Sequence, residues 1–415
     1  MRTLLHGALM LAAFACSAPA AAACDLDAAD AAAAGPGCHE AWMDRHLRLN
    51  DLLAVGTHNS YKQAIPAAEY ALIAAHDPGT AQALDYAHKS IEAQLDFGAR
   101  QLEIDVVHDP EGGRHADPLL ARATGTAPDP AWGAAMRRPG FKVMHVPDID
   151  WRSDCVLLSD CLRRIGDWSR RHPRHAPILI LINAKDAGDV PGGTPLLKFD
   201  AAAFDALDAA FRAGLPEGAI ITPDEVQGEH ATLREAVRAG AWPTLGQARG
   251  RFVIALDESP EKVALYRGSR RALEGRAMFV NIDEASPAAG YITLNNIERD
   301  GERIARAVDA GLLVRSRADD NTWQARRNDT AWRERTLASG AQWVSTDYLW
   351  PDARFPGGFR VHLPGLAAAV CNPRRAAARC AGLPVETVEP EARARADRAP
   401  FDAPAPRAEA EGNTP

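Results

Sequence analysis

Short runs rich in apolar and β-branched residues recur along the chain, each closing on polar or charged positions. They fall at 52–56, 101–107, 142–146, 178–182, 252–256, 278–282, 312–314 and 342–345. Most are separated by stretches whose apolar residues return every three to four positions: 90–97, 156–171, 199–213, 233–239, 303–310 and 328–338. Strand-like runs alternating with helical ones predict a parallel sheet with helical crossovers. Eight such runs over roughly 300 residues favour an α/β fold of the (β/α)8, TIM-barrel kind over a doubly wound sheet. No Gly-rich phosphate loop follows the first run, which points the same way. The longest interval lies between the fourth and fifth strands. It reads as an insertion into a single catalytic domain, because a helical pattern, the Ile220-Ile221-Thr222-Pro223-Asp224 segment and a second helix fit one elaborated βα unit.

The ends have a different texture. Residues 1–23 carry Arg2, a short apolar stretch and Ala21-Ala22-Ala23, the plan of a secretory signal peptide. A linker or cap over 24–49 leads to the barrel at 50–363. A Cys-bracketed appendix follows at 364–385. Beyond it, 386–415 is rich in Pro, Ala and charge, and is expected to be disordered. Seven cysteines become six once the leader is removed, an even number suited to an oxidising, secreted or periplasmic compartment. Fifteen pairings are open to six cysteines. The set local in sequence is 24–38, 155–161 and 371–380.

Composition narrows the partners. Of 415 residues 47% are hydrophobic and 25% charged, so a large core is available. The net charge of −8 argues against nucleic acid held by bulk charge. A monomer is expected.

Chemistry gathers at the ends of the strand-like runs, where a barrel of this kind places its active site. The first ends in His58 and Asn59, and the second carries Glu103 and Asp105. The third ends in His145, the fourth carries Asn183 and Lys185, and the seventh leads into Arg315 and Arg317. Residues i and i+2 of a strand share a face. Glu103 therefore projects with Asp105, Asn183 with Lys185, and Arg315 with Arg317. Any one of these is more often a solvated or paired polar residue than a functional one. Their coincidence at one mouth is the signal. Two carboxylates and two amides are hard oxygen donors suited to Ca²⁺ or Mg²⁺. Two histidines suit acid–base work near neutral pH. Lys and Arg suit an anionic, phosphoryl-bearing substrate. His108, His115, His172, His175 and His230 read as surface residues.

The ordered series Thr57-His58-Asn59-Ser60-Tyr61, Gln101-Leu102-Glu103-Ile104-Asp105, His145, Ala184-Lys185-Asp186, Val314-Arg315-Ser316-Arg317-Ala318-Asp319 and Ser345-Thr346-Asp347-Tyr348 resembles the calcium-dependent phosphoinositide phospholipase C family of bacteria. The resemblance spans roughly residues 50–381. It implies His58 and His145 as the acid–base pair and Asn59, Glu103 and Asp105 as calcium ligands. It places Lys185, Arg315 and Arg317 near phosphate or head group. The implied substrate is a phosphatidylinositol-type phospholipid or related phosphodiester, met through peripheral membrane contact, with Ca²⁺ as cofactor. The implied products are diacylglycerol and a cyclic inositol phosphate. One position departs: Asn183 stands where relatives of the wider group often carry a metal-binding Glu, so the site has one negative charge fewer.

Two other readings compete. A glycerophosphodiester phosphodiesterase or sphingomyelinase D-like enzyme uses similar groups on the same barrel. An inactive lipid-head-group binding module would tolerate Asn183, but has no need of two histidines and an intact Glu-x-Asp pair.

Overall fold

The structure is a computed structural model that describes residues 24–401. The leader expected at 1–23, and the last part of the expected tail, 402–415, lie outside the described residues.

The strands are β1 Leu52–Thr57, β2 Gln101–Val107, β3 Lys142–Val143, β4 Ile178–Lys185, β5 Phe252–Leu256, β6 Phe279–Val280, β7 Tyr291–Thr293, β8 Leu313–Arg317, β9 Trp343–Thr346, β10 Ala367–Cys371 and β11 Glu386–Thr387. They form a mixed α/β fold with two sheets. One runs β11-β10-β1-β9-β8-β7, the other β3-β2-β4-β5-β6. The ladders β1–β9, β2–β4, β4–β5, β5–β6, β7–β8 and β8–β9 are parallel. β4 explains why: its apolar run Ile178–Ile182 is buried throughout, as a strand covered on both faces must be.

The single closed sheet expected from the pattern is not what the ladders draw, because pairing breaks at two seams. Between β1 and β2 the Arg100 N–H reaches the Val55 carbonyl at 2.8 Å, and the Ser60 N–H reaches that of Glu103 at 2.9 Å. Gly56 permits this approach, since a Cβ there would lie 2.1 Å from the Gln101 carbonyl oxygen. Between β6 and β7 there is an isolated bridge, Asn281 to Tyr291. Strands of two and three residues are too short to carry a ladder further.

Three expectations need correction. The run 142–146 is not a parallel strand. Lys142–Val143 pairs antiparallel with the end of β2, and alternation of apolar residues does not encode direction. β7 was missed, being three residues long and preceded by turn-like Ser286-Pro287-Ala288-Ala289-Gly290. The tail is ordered over its first part: β11 pairs with β10, and a helix follows at Pro390–Arg398. Composition misled there because the anchors are few and mostly polar. Lys89 donates to the carbonyls of Ala396 and Asp397 (3.0 and 2.8 Å), and Trp350 Nε1 donates to Asp397 (2.9 Å).

Four helices fill the interval between β4 and β5: Ala201–Gly214, Pro223–Gln227, Leu233–Arg238 and Leu245–Ala248. Disulfides join Cys24–Cys38, Cys155–Cys161 and Cys371–Cys380, the set local in sequence. Among the described residues no helix is long and apolar enough to cross a membrane.

Candidate active site

Register sets the floor of the site. Asp105 on β2 stands opposite Asn183 on β4, and Val107 opposite Lys185. On the other sheet Arg317 and Gly56 both align with Ser345 of β9, which sets the ends of β8 and β1 level on either side of it. β1 then turns sharply. Asn59 adopts the left-handed conformation, φ 47°, that asparagine tolerates better than most residues. The turn is tied down by Ser60, whose hydroxyl accepts the Glu103 N–H at 2.8 Å and whose carbonyl accepts Gln94 Nε2 at 2.7 Å.

Around this floor the expected residues meet. Glu103 is the hub. One oxygen accepts Arg315, and the other accepts Asn183 Nδ2 at 3.2 Å and lies 3.7 Å from His58 Nε2. Arg315 also donates to Asn295 Oδ1 at 2.6 Å. Lys185 Nζ sits 2.9 Å from Asp105. Burial alone would lower the pKa of Lys185, but Asp105 outweighs it and holds the ammonium charged. Asn59 donates to the Tyr86 hydroxyl at 2.8 Å.

His58 has three neighbours that sequence reasoning did not assign to the site, Asp347, Tyr86 and His88. Its Nδ1 lies 2.8 Å from Asp347 Oδ1 and 3.2 Å from the Tyr86 hydroxyl, while Arg317 stands 3.5 Å from Nε2. His88 meets the His58 carbonyl at 2.7 Å. Burial first, and the Arg317 charge second, push the His58 pKa well below 6.5, so its imidazole is neutral at pH 7. Arg317 in turn reaches the other Asp347 oxygen at 3.0 Å.

His145 is not at the end of a parallel strand. It follows β3 in the long connection from β2 to β4. Its Nδ1 lies 2.9 Å from Asp150, and Asp150 pairs with the buried Lys62 at 3.1 Å. Burial raises the Asp150 carboxyl, but Lys62 and His145 outweigh it and the group titrates below the ordinary range. Lys62 closes a chain between the histidines: it donates to the Tyr86 carbonyl at 3.1 Å, and Tyr86 touches His58. Each histidine thus has a carboxylate on Nδ1, which leaves Nε2 for chemistry.

Asn59, Glu103, Asp105 and Asn183 present oxygen donors only. The Asp105 carboxylate is wholly buried, with Lys185 at 2.9 Å and the buried Tyr61 hydroxyl beside it. A buried anion beside a second carboxylate and two amides fits a hard divalent cation. The set holds only two carboxylates, and no group of three or more His, Cys, Asp or Glu is gathered for metal binding among the described residues.

Two carboxylate-held histidines, a carboxylate floor and converging Lys and Arg are groups suited to cleaving a phosphodiester. The chain belongs to the family "Phosphoinositide phospholipase C, Ca2+-dependent", whose model matches residues 47–373. Solved structures similar to it include calcium-dependent phosphoinositol-specific phospholipase C from a Pseudomonas species, in a myoinositol complex. It is 15% identical with a TM-score of 0.47, covering 72% of this chain and 90% of that one. Another is the calcium-dependent phosphatidylinositol-specific enzyme of Streptomyces antibioticus. It is 20% identical with a TM-score of 0.46, covering 72% of this chain and 95% of that one. No curated protein matches the chain.

Proposed function

We propose that this protein is an exported phosphoinositide phospholipase C that uses His58 and His145 as its acid–base pair on a calcium-assisted site. The observation that carries the reading is the matched pair of carboxylate-held histidines, His58 on Asp347 and His145 on Asp150, with Glu103 3.7 Å from His58. The parallel strands β1, β2 and β4–β9 are read as one irregular (β/α)8 barrel, with the site at its carboxyl end.

In this reading the phosphodiester lies over Glu103 and Asp105, contacted by Lys185, Arg315 and Arg317. Neutral His58 takes the proton of the inositol 2-hydroxyl through Nε2 as that oxygen attacks phosphorus. The bond from phosphorus to the diacylglycerol oxygen breaks, and His145 gives that oxygen a proton. The products are diacylglycerol and a cyclic inositol phosphate. Asp347 and Asp150 hold the two rings with Nδ1 occupied. Calcium, held by Asn59, Glu103, Asp105 and Asn183, would lower the attacking hydroxyl's pKa and offset charge on the phosphoryl oxygens. Export is supported by three disulfides, bonds that persist in oxidising compartments.

The test is product analysis on phosphatidylinositol vesicles with calcium. A cyclic inositol phosphate from wild type and none from His58→Ala is expected. Phosphatidic acid or glycerophosphate as product would refute the reading, and an equally active His58→Ala would remove His58 from it.

A further inference from the structure

The groups that would hold calcium are already claimed. Arg315 is ion-paired with Glu103 and Lys185 with Asp105. Arg315 and Asp105 are wholly buried, and Glu103 nearly so. These four side chains sum to zero charge. Asn183 adds none, where a glutamate would have made the set acidic. Two carboxyls at the end of β5 lie outside these four: Asp257, bonded to Asn281 at 2.7 Å, and Glu258, paired with Lys262 at 3.1 Å.

Calcium at these carboxylates therefore competes with Lys185 for Asp105 and with Arg315 for Glu103. Calcium alone then adds two positive charges to this balanced set, in which Arg315, Glu103 and Asp105 are buried, a costly arrangement. A phosphodiester anion offsets one of them and gives Lys185 and Arg315 new acceptors. From this competition we infer that calcium and the substrate's phosphodiester bind with strong positive coupling, Lys185 and Arg315 passing from the carboxylates to the phosphate as both arrive. The inference rests on the calcium site proposed above and adds the order it imposes: neither ligand binds tightly without the other. Linkage makes the coupling reciprocal.

The experiment is calorimetric titration of the whole protein with calcium, with and without dimethyl phosphate, a soluble phosphodiester. The diester is expected to tighten calcium binding by at least about fivefold, and calcium to tighten diester binding by the same factor. Lys185→Met separates cation release from simple bridging of metal and phosphate. It should bind calcium alone more tightly than wild type and show a smaller effect of diester, whereas Lys185→Arg should keep the coupling. Thermal melts check that both variants are folded. Equal calcium affinity with and without diester would overturn the coupling and leave the calcium site standing. Coupling of full size in Lys185→Met would overturn the release of Lys185. No calcium binding under any condition would overturn the inference and the proposed calcium site together.

Discussion

The Nδ1 of His58 lies 2.8 Å from Oδ1 of Asp347, 289 positions further along the chain, and the other Asp347 oxygen holds Arg317. One carboxylate therefore fixes both a ring and a guanidinium. Asp347→Asn keeps the shape but removes the anion, so the ring is free to place its proton on Nε2. The expected result is a fall in kcat of about 10²- to 10⁴-fold, with a melting temperature near that of wild type. Steady-state rates on phosphatidylinositol together with a thermal melt check it. A wild-type rate would show that Asp347 does not position His58.

Lys62 and Asp150 are both wholly buried and 3.1 Å apart. Lys62→Met leaves Asp150 with His145 as its remaining partner in the pair. Breaking a buried pair from one side costs about 3–5 kcal/mol, which should appear as a lower denaturant midpoint. Lys62→Met with Asp150→Asn should lose less than the two single changes summed, because the stranded charge is gone. Additive losses would mean the pair is not coupled.

Stability should fall in mild acid. Burial lowers the pKa of His88 and of His175 from 6.5 to about 4. Between those values the unfolded chain binds more protons than the folded one. The contribution is full above pH 6.5 and is lost as pH falls toward 4. Each histidine accounts for on the order of 3 kcal/mol over that window. Melting temperatures should drop from pH 7 to 4.5, and less steeply in His175→Gln. A profile flat over this range would contradict the buried, neutral state of both rings.

How much of this could be read in advance depended on whether a residue's role is written locally. Glu103 with Asp105, Asn183 with Lys185, and Arg315 with Arg317 were readable because period-two geometry puts each pair on one face. His58 and Asn59 were readable as a polar end to an apolar run. Asp150, Lys62 and Tyr86 were not. Their roles arise from contacts such as Lys62 to Asp150, which no periodicity records. His175 was read as a surface residue because its neighbours His172, Pro173 and Arg174 are polar, yet its ring packs against Trp168 and Phe252 and it is 2% exposed. Asp347 was visible as a polar strand end, but its assignment to His58 required knowing that β1 and β9 are neighbours. The order in 386–398 was hidden because its anchors are long-range contacts, among them Glu386 with the buried Arg100 and Asp397 with Trp350.

Asn183 tests how the site divides charge between metal and protein. Its Nδ2 donates to Glu103 at 3.2 Å, so it acts as a neutral spacer between Glu103 and the end of β4. Asn183→Glu replaces a donor by a second anion beside Glu103. In chelator the variant should melt below wild type, since two carboxylates then face each other in a buried setting. Calcium should reverse the order, because the added ligand charge strengthens a hard-cation site. The expected gain in affinity is about tenfold, equivalent to about 1.4 kcal/mol. Melts in chelator and in excess calcium read both effects on one sample, since a ligand bound to the folded state raises its stability by mass action. Matching calcium affinities for the two proteins would remove residue 183 from the metal site.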